Sequence, residues 1–536
     1  MKIRAVRNAA FACAATFAFT STAFGQAPKP VRTEAGIVQG TMEDGIATYK
    51  GIPFAAPPLG ELRWRAPQPP APWKGVKEAD KFAPACMQIS IVMPALGMEA
   101  VPVSEDCLYL NVWTPAKSPK DKLPVMVWIY GGGFTAGATS LASYDGANLA
   151  KKGVILVSVA YRVGPFGFFA HPELSAEQGG HSGDYGLLDQ IAGLKWVQRN
   201  IARFGGDPHR VTIFGESAGG IAVSMLAASP LAKGLFEGAI SESGGNFAPA
   251  RIDGEGGENM ISLATAEHNG VALLSKLSVK SIADARTLPA AVILKAQGPG
   301  LGGSWPDFDG YVLLGDQYDL YKAGRYSDTP VLIGTNADEG ALFTATATVS
   351  QFERMVRAGY GEYADKILSV YPAGSDTQAL HSERDLFRDT AFAWPTWTWA
   401  RLQSHTGRSK VFVYDFSHRP QYPNTPQFKD WGAAHGSEIA YVFENFGSAM
   451  PATQDDHAVA DQISSYWVNF AKTGDPNGAG LPTWPAFTDD DQQVMNLDVT
   501  SKPIPVPNLD KLQVLDGYYA WRRAQAAAAT ATTAGH

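Results

Sequence analysis

The sequence predicts an α/β protein with a large, mostly parallel central sheet and helices on both faces. Two observations carry that prediction. The runs PVMVWIY, VILVSVAYR, RVTIFG, EGAISES, TPVLIGTN and KVFVYDF are short, rich in β-branched residues and nearly continuously apolar, which is how buried parallel strands read. Between several of them lie amphipathic stretches long enough to be crossover helices, such as DQIAGLKWVQRNIARF, as an α/β sheet covered on both faces requires. The chain of 536 residues is long enough for several domains. It has no internal repeat, no Pro/Ser-rich linker and no abrupt change of composition, so a single domain over residues 26–523 is expected.

The N-terminal segment MKIRAVR, an alanine-rich apolar stretch from Ala9 to about Phe19, and the small-x-small pattern Ala23-Phe24-Gly25 read as a secretory signal over residues 1–25. The apolar stretch is shorter than the roughly 20 residues of a membrane span, and no later segment is long and apolar enough for one. A secreted or periplasmic location follows. Of three cysteines, Cys13 falls inside the signal, leaving Cys86 and Cys107. In an exported chain these fit one disulfide, whose loop of about 20 residues contributes roughly 3 kcal/mol in the chain-entropy model. A formal net charge of -8, spread without long blocks, argues against a nucleic-acid surface.

Each strand end then offers a chemical group. PVMVWIY runs into Gly131-Gly132-Gly133-Phe134, where glycines let backbone N–H groups approach a reacting carbonyl without interference from Cβ atoms. RVTIFG runs into Gly215-Glu216-Ser217-Ala218-Gly219 and a helix-like segment, the pattern of a nucleophile elbow that exposes a serine hydroxyl on a sharp strand-to-helix turn. The N–H of Ala218 would be a second oxyanion donor. TPVLIGTN ends at Asp338-Glu339, either of which could orient a base. Six of the ten histidines follow this point, in the chain order nucleophile, acid, base expected of an α/β-hydrolase. His418, after KVFVYDF, and His435, in AAHGSEIAYVF, are the candidates.

Other patterns are weaker. Gly298, Gly300 and Gly303 form a G-x-G-x-x-G, but no strand leads into it and WPDFDG follows, so dinucleotide binding is not expected. There is no HExxH and no spaced Cys/His cluster for a metal. The glycine-rich stretches Asp253–Gly257 and Gly298–Ser304 read as mobile loops, the aromatic run AFAWPTWTWA reads mainly as core, and residues 524–536 read as a disordered Ala/Thr tail.

Taken together, EDCLYLNVW (Glu105–Trp113), GGGF, GLLDQ (Gly186–Gln190), FGGDP (Phe204–Pro208), FGESAGG and HGSE at His435 resemble the type B carboxylesterases, a group that includes the cholinesterases. The resemblance runs from about Arg32 to Trp521 and implies the α/β-hydrolase fold. It implies Ser217 as nucleophile, Glu339 rather than Asp338 as acid, and His435 as base. Gly132, Gly133 and Ala218 would supply the oxyanion hole, and Cys86 and Cys107 the N-terminal disulfide. Glu216 and Ser243 take supporting positions beside the site. The implied activity is hydrolysis of small-molecule carboxylic esters without a cofactor. Specialised variants of the same machinery act on bulky natural esters, carbamates or amides, and some relatives are non-catalytic binding proteins that lack a catalytic residue. Two departures bear on specificity. No tryptophan lies between Cys86 and Cys107, so the cation–π contact that a choline-selective site uses, worth about 2 kcal/mol, is not expected. No cysteine follows Cys107, so the family's second disulfide is missing.

Overall fold

The structure is a computed structural model that describes residues 28–89, 100–251, 259–298, 304–447 and 450–534. The expected signal over residues 1–25, the glycine stretch Asp253–Gly257, and Gly300 and Gly303 of the G-x-G-x-x-G pattern lie outside the described residues.

An 11-stranded sheet forms the centre. Its strands in chain order are β1 (Thr41–Glu43), β2 (Ile46–Pro53), β3 (Tyr109–Thr114), β4 (Leu123–Ile129), β5 (Ile155–Val159), β6 (Gly206–Glu216), β7 (Gly238–Glu242), β8 (Val331–Asn336), β9 (Val411–Phe416), β10 (Gln493–Leu497) and β11 (Lys502–Pro505). Across the sheet they run β11-β10-β9-β8-β7-β6-β4-β5-β3-β2-β1. Every pair from β5 to β10 is parallel. The pairs outside them, β5 with β3, β3 with β2, β2 with β1, and β10 with β11, are antiparallel. The six apolar runs read from the sequence supply β4 to β9. In β5, β7 and β8 every residue is buried, so both faces are covered, as near-continuous apolar strands require.

The covering helices include α1 (Tyr185–Asn200), between β5 and β6, and α2 (Ala218–Ala228), between β6 and β7. Between β8 and β9 come α3 (Asp376–Arg388) and α4 (Trp394–Thr406); α5 (Gln454–Thr473) links β9 to β10. The tryptophans of AFAWPTWTWA are core, with Trp394 and Trp399 buried on α4. Cys86 and Cys107 form a disulfide, and both are buried. Among the described residues no helix is long and apolar enough to cross a membrane. The C-terminal helix α6 (Leu509–Ala534) runs on through the Ala/Thr stretch that the sequence marks as a disordered tail after Arg523. Alanine is the strongest helix former, and a helix already docked at Leu512 and Leu515 propagates into it without a new nucleation step.

The order of strands creates the site. From β4 the chain crosses outward to β5, and from β6 it crosses the other way to β7. Loops at the carboxyl ends of β4 and β6 therefore leave in opposite directions, opening a crevice between them. The glycine run 131–133 and Ser217 are the residues placed there.

Candidate active site

Ser217 occupies the turn between β6 and α2 with φ 55° and ψ −126°, a backbone conformation that costs a non-glycine residue about 1–3 kcal/mol. The surroundings enforce it. Its N–H donates to the Glu242 carbonyl at 2.9 Å, and its carbonyl accepts from the Ile221 N–H at 2.8 Å. A Cβ on Gly219 would lie 2.0 Å from the Ile129 carbonyl oxygen, so only glycine lets α2 start this close to β4. The Ser217 side chain makes no capping bond to α2. Among the described residues its hydroxyl has no hydrogen-bond partner, and Ser217 is only half-buried.

The glycine run lies against this turn. A Cβ on Gly131 would come within 2.9 Å of the Ser217 Cβ and 2.7 Å of the Glu216 carbonyl oxygen. Gly132 and Gly133 both have positive φ, 106° and 61°, which turns the chain sharply away from β4. Among the described residues, the N–H groups of Gly132, Gly133 and Ala218 donate to no protein acceptor. Ala218 is buried and the two glycines are half-buried; because shielded backbone donors are normally paired, these three beside the Ser217 hydroxyl leave a place for an oxygen from outside.

Glu339 follows β8 and is fully buried. One carboxylate oxygen accepts from the Ser243 hydroxyl at 2.6 Å and from the Asn336 N–H at 2.8 Å. The other lies 2.6 Å from His435 Nδ1. Asp338, its neighbour, turns the opposite way: its carboxylate accepts from the Ala433 N–H at 2.9 Å, and its own N–H donates to the Ala433 carbonyl at 3.0 Å. The two adjacent acids thus divide the work, with Glu339 on the imidazole and Asp338 pinning the loop that carries it. His418 is elsewhere, between Asp456 (2.7 Å) and Asp498 (3.1 Å), where it ties β9 to the N-terminal turn of α5.

The Nε2 edge of His435 lies 3.2 Å from Glu216. Burial by itself disfavours the charged imidazole, but the carboxylates of Glu216 and Glu339 outweigh burial and hold His435 above the ordinary histidine range. Burial pushes Glu216 up to about 7 against the pull of His435. Glu438, of the HGSE motif, is pushed up to about 8 by burial and then by Glu216 and Glu339. Glu242 is raised well above its usual range, also chiefly by burial. Several carboxyl groups thus surround one imidazole where water is scarce, and they hold fewer negative charges at neutral pH than their number suggests.

The sequence-based candidates Ser217, Gly132, Gly133, Ala218, Glu216, Ser243, Glu339 and His435 therefore converge, although they come from four strand ends and a distant loop. Two neighbours were not legible beforehand. Phe343 and Phe392 pack on the His435 ring, with centroids 5.2 and 4.5 Å away. Phe392 belongs to the aromatic run read mainly as core, and no motif distinguishes it from its neighbours.

A family model described as the carboxylesterase family matches residues 27–514. The fumonisin B1 esterase of Sphingopyxis macrogoltabida is 39% identical over 514 residues, covering 90% of each chain. The para-nitrobenzyl esterase of Bacillus subtilis (strain 168) is 37% identical over 483 residues, 87% of this chain and 94% of that one. A solved thermophilic PNB esterase superposes with a TM-score of 0.79 at 35% identity, covering 91% of this chain and 99% of its own.

Proposed function

The chain belongs to the carboxylesterase family, has the α/β-hydrolase fold and is a carboxylic ester hydrolase; from that premise we propose that it works through an acyl-enzyme on Ser217. His435 Nε2 takes the Ser217 proton as Oγ bonds to the ester carbonyl carbon, and the carbonyl electron pair moves onto its oxygen. The N–H groups of Gly132, Gly133 and Ala218 stabilise that oxyanion, each donor of this kind being worth about 3 kcal/mol. Collapse breaks the bond to the alkoxy group, which leaves with the proton from His435. Water, deprotonated by the same imidazole, then attacks the acyl-serine and releases the acid. Glu339 holds the imidazolium at Nδ1, and Ser243 and the Asn336 N–H hold Glu339.

The observation that carries this reading is the 2.6 Å contact of Glu339 with His435 Nδ1, beside a serine hydroxyl that has no partner among the described residues. Nε2 faces Glu216 at 3.2 Å, and its bond to Ser217 forms when substrate closes the site, as catalytic hydrogen bonds commonly do. Pushed up to about 7, Glu216 is protonated in part of the molecules near neutral pH, and in that form it leaves Nε2 available as the base. The mechanism needs only side chains, backbone donors and water.

A specialised natural ester is the second reading of substrate, and the relative named fumonisin B1 esterase is what favours it. We also read residues 1–25 as an export signal, residues 26–523 as one domain, and the location as secreted or periplasmic. The Cys86–Cys107 disulfide supports export. Burst kinetics with p-nitrophenyl acetate and butyrate test the mechanism. The wild type should release a burst of about one p-nitrophenol per chain, as an accumulating acyl-enzyme requires, and Ser217→Ala should release none. A burst that survives Ser217→Ala would reject Ser217 as the nucleophile.

A further inference from the structure

Among the described residues the imidazole of His435 makes one hydrogen bond, at its Nδ1 edge with Glu339. Such a bond weakens steeply only when bent by several tens of degrees, so it leaves the ring plane loosely defined. Proton transfer between Ser217 and a leaving group is far less tolerant, because a small misplacement of a reacting group costs orders of magnitude in rate. Something must hold the ring's faces.

Phe392 lies nearly parallel to the imidazole, with centroids 4.5 Å apart and 19° between planes. Phe343 meets the same ring at a tilt of 53°. Phe392 is buried and is itself wedged by Phe387, whose ring meets it at 68°. Its backbone is unusual: residues Asp389–Ala393 form a π-helical turn between α3 and α4, closed by the Trp394 N–H donating to the Asp389 carbonyl. Pro395 explains the widening, since it has no N–H and its ring displaces the carbonyl four residues back, that of Ala391. The turn is anchored at its start, where the Asp389 carboxylate accepts from Arg388 Nε at 2.7 Å and from the Tyr371 hydroxyl at 2.8 Å. A π-turn adds one residue to the helix and so rotates the side chains beyond it, and such turns concentrate at functional sites.

We propose that Phe392 is a positioning residue for ester hydrolysis: its ring lies flat on the His435 imidazole, fixes the plane of that base, and favours the imidazolium formed as Ser217 attacks. The π face carries negative charge density, and 4.5 Å is within the reach of a cation–π contact. Neutral imidazole gains less from the same contact than the cation does, so the stacking is strongest in the transition state. The inference rests on the reading of His435 as the base.

The test is Phe392→Leu, with kcat and KM measured for p-nitrophenyl acetate and butyrate across pH. The cation–π contact predicts a fall in kcat of about tenfold on both esters. KM should change little, and the acid limb of the kcat profile should move to lower pH. Phe392→Tyr, which keeps the π face, should restore kcat. If Phe392→Leu does not fold, 3,4,5-trifluorophenylalanine at 392 keeps the shape while depleting the π face, and the same fall and shift are expected. An unchanged kcat would overturn the proposal. So would a change in KM that differs between acetate and butyrate with the pH limb unmoved, because it would make Phe392 a pocket wall only. A wild type that forms its Ser217 burst while Phe392→Leu matches it sinks this proposal alone; a wild type with no burst sinks the acyl-enzyme reading beneath it.

Discussion

Ser243→Ala isolates the support behind the acid. The Ser243 hydroxyl donates to Glu339 at 2.6 Å, and both residues are fully buried. Removing it leaves that carboxylate oxygen with the Asn336 N–H as its one remaining donor, in a place where the missing hydroxyl leaves too little room for a water. A hydrogen bond to a charged group is worth about 1.5–3 kcal/mol. If about 2 kcal/mol of it is expressed on the imidazolium in the transition state, kcat falls about 30-fold. KM should change by less than about twofold, the pattern for an interaction made only in the transition state. The sign of the pH effect follows: a carboxylate held less firmly stabilises protonated His435 less, so the acid limb should move to lower pH even as the rate drops. Steady-state kinetics on p-nitrophenyl acetate across pH, with thermal unfolding as a control, read all three. A variant with wild-type kcat and an unmoved limb would refute the claim that Ser243 acts through Glu339.

Other outcomes follow from the same geometry. Gly219→Ala would drive a methyl to 2.0 Å from the Ile129 carbonyl oxygen; a loss of stability above about 3 kcal/mol, with esterase activity abolished, is expected in urea unfolding and turnover assays. Glu216→Gln removes a carboxylate that raises His435, so the acid limb of kcat/KM should shift to lower pH, whereas an unmoved limb would mean that Glu216 carries no charge at the assay pH. Glu242 is raised by burial and has one oxygen without a partner. An acid whose folded pKa is raised contributes stability that is complete below the ordinary carboxylate range and is lost as pH rises through the folded value. Glu242→Gln should therefore lose less of its thermal midpoint than the wild type as pH rises above the ordinary carboxylate range; equal losses would count against that assignment. Replacing both Cys86 and Cys107 by Ser opens a loop with a sequence separation of 21 and should lower unfolding stability by about 3 kcal/mol, readable as a shift in the denaturation midpoint.

The central sheet was legible because burial on both faces imposes a local signature. β4 to β9 are each an apolar run that needs no knowledge of its neighbours. Strands β2, β3 and β10 escaped because polar or glycine residues such as Lys50, Gly51, Asn111 and Asn496 interrupt their apolar continuity, and β11 because it is a short, largely exposed edge strand. The turn that carries Ser217 was also legible, because its close packing demands glycine at 219 and the residue type records that demand even though Ile129 and Glu242, which impose it, lie far along the chain; the glycine run 131–133 is legible in the same way. Local sequence could not choose between Asp338 and Glu339 or between His418 and His435. Adjacent acids differ only in which way they point, and that is set by Ser243, Asn336 and Ala433, which reach them from other parts of the chain. The resemblance to a family favours Glu339 and His435, by carrying in a packing arrangement that the motifs alone do not encode. Nothing local distinguishes Phe392 from the tryptophans after it, or shows that Glu216, Glu242 and Glu438 share one buried volume. Contacts of that kind join residues far apart in the chain, so they leave no periodicity or spacing to read, and they come into being only when the strands assemble.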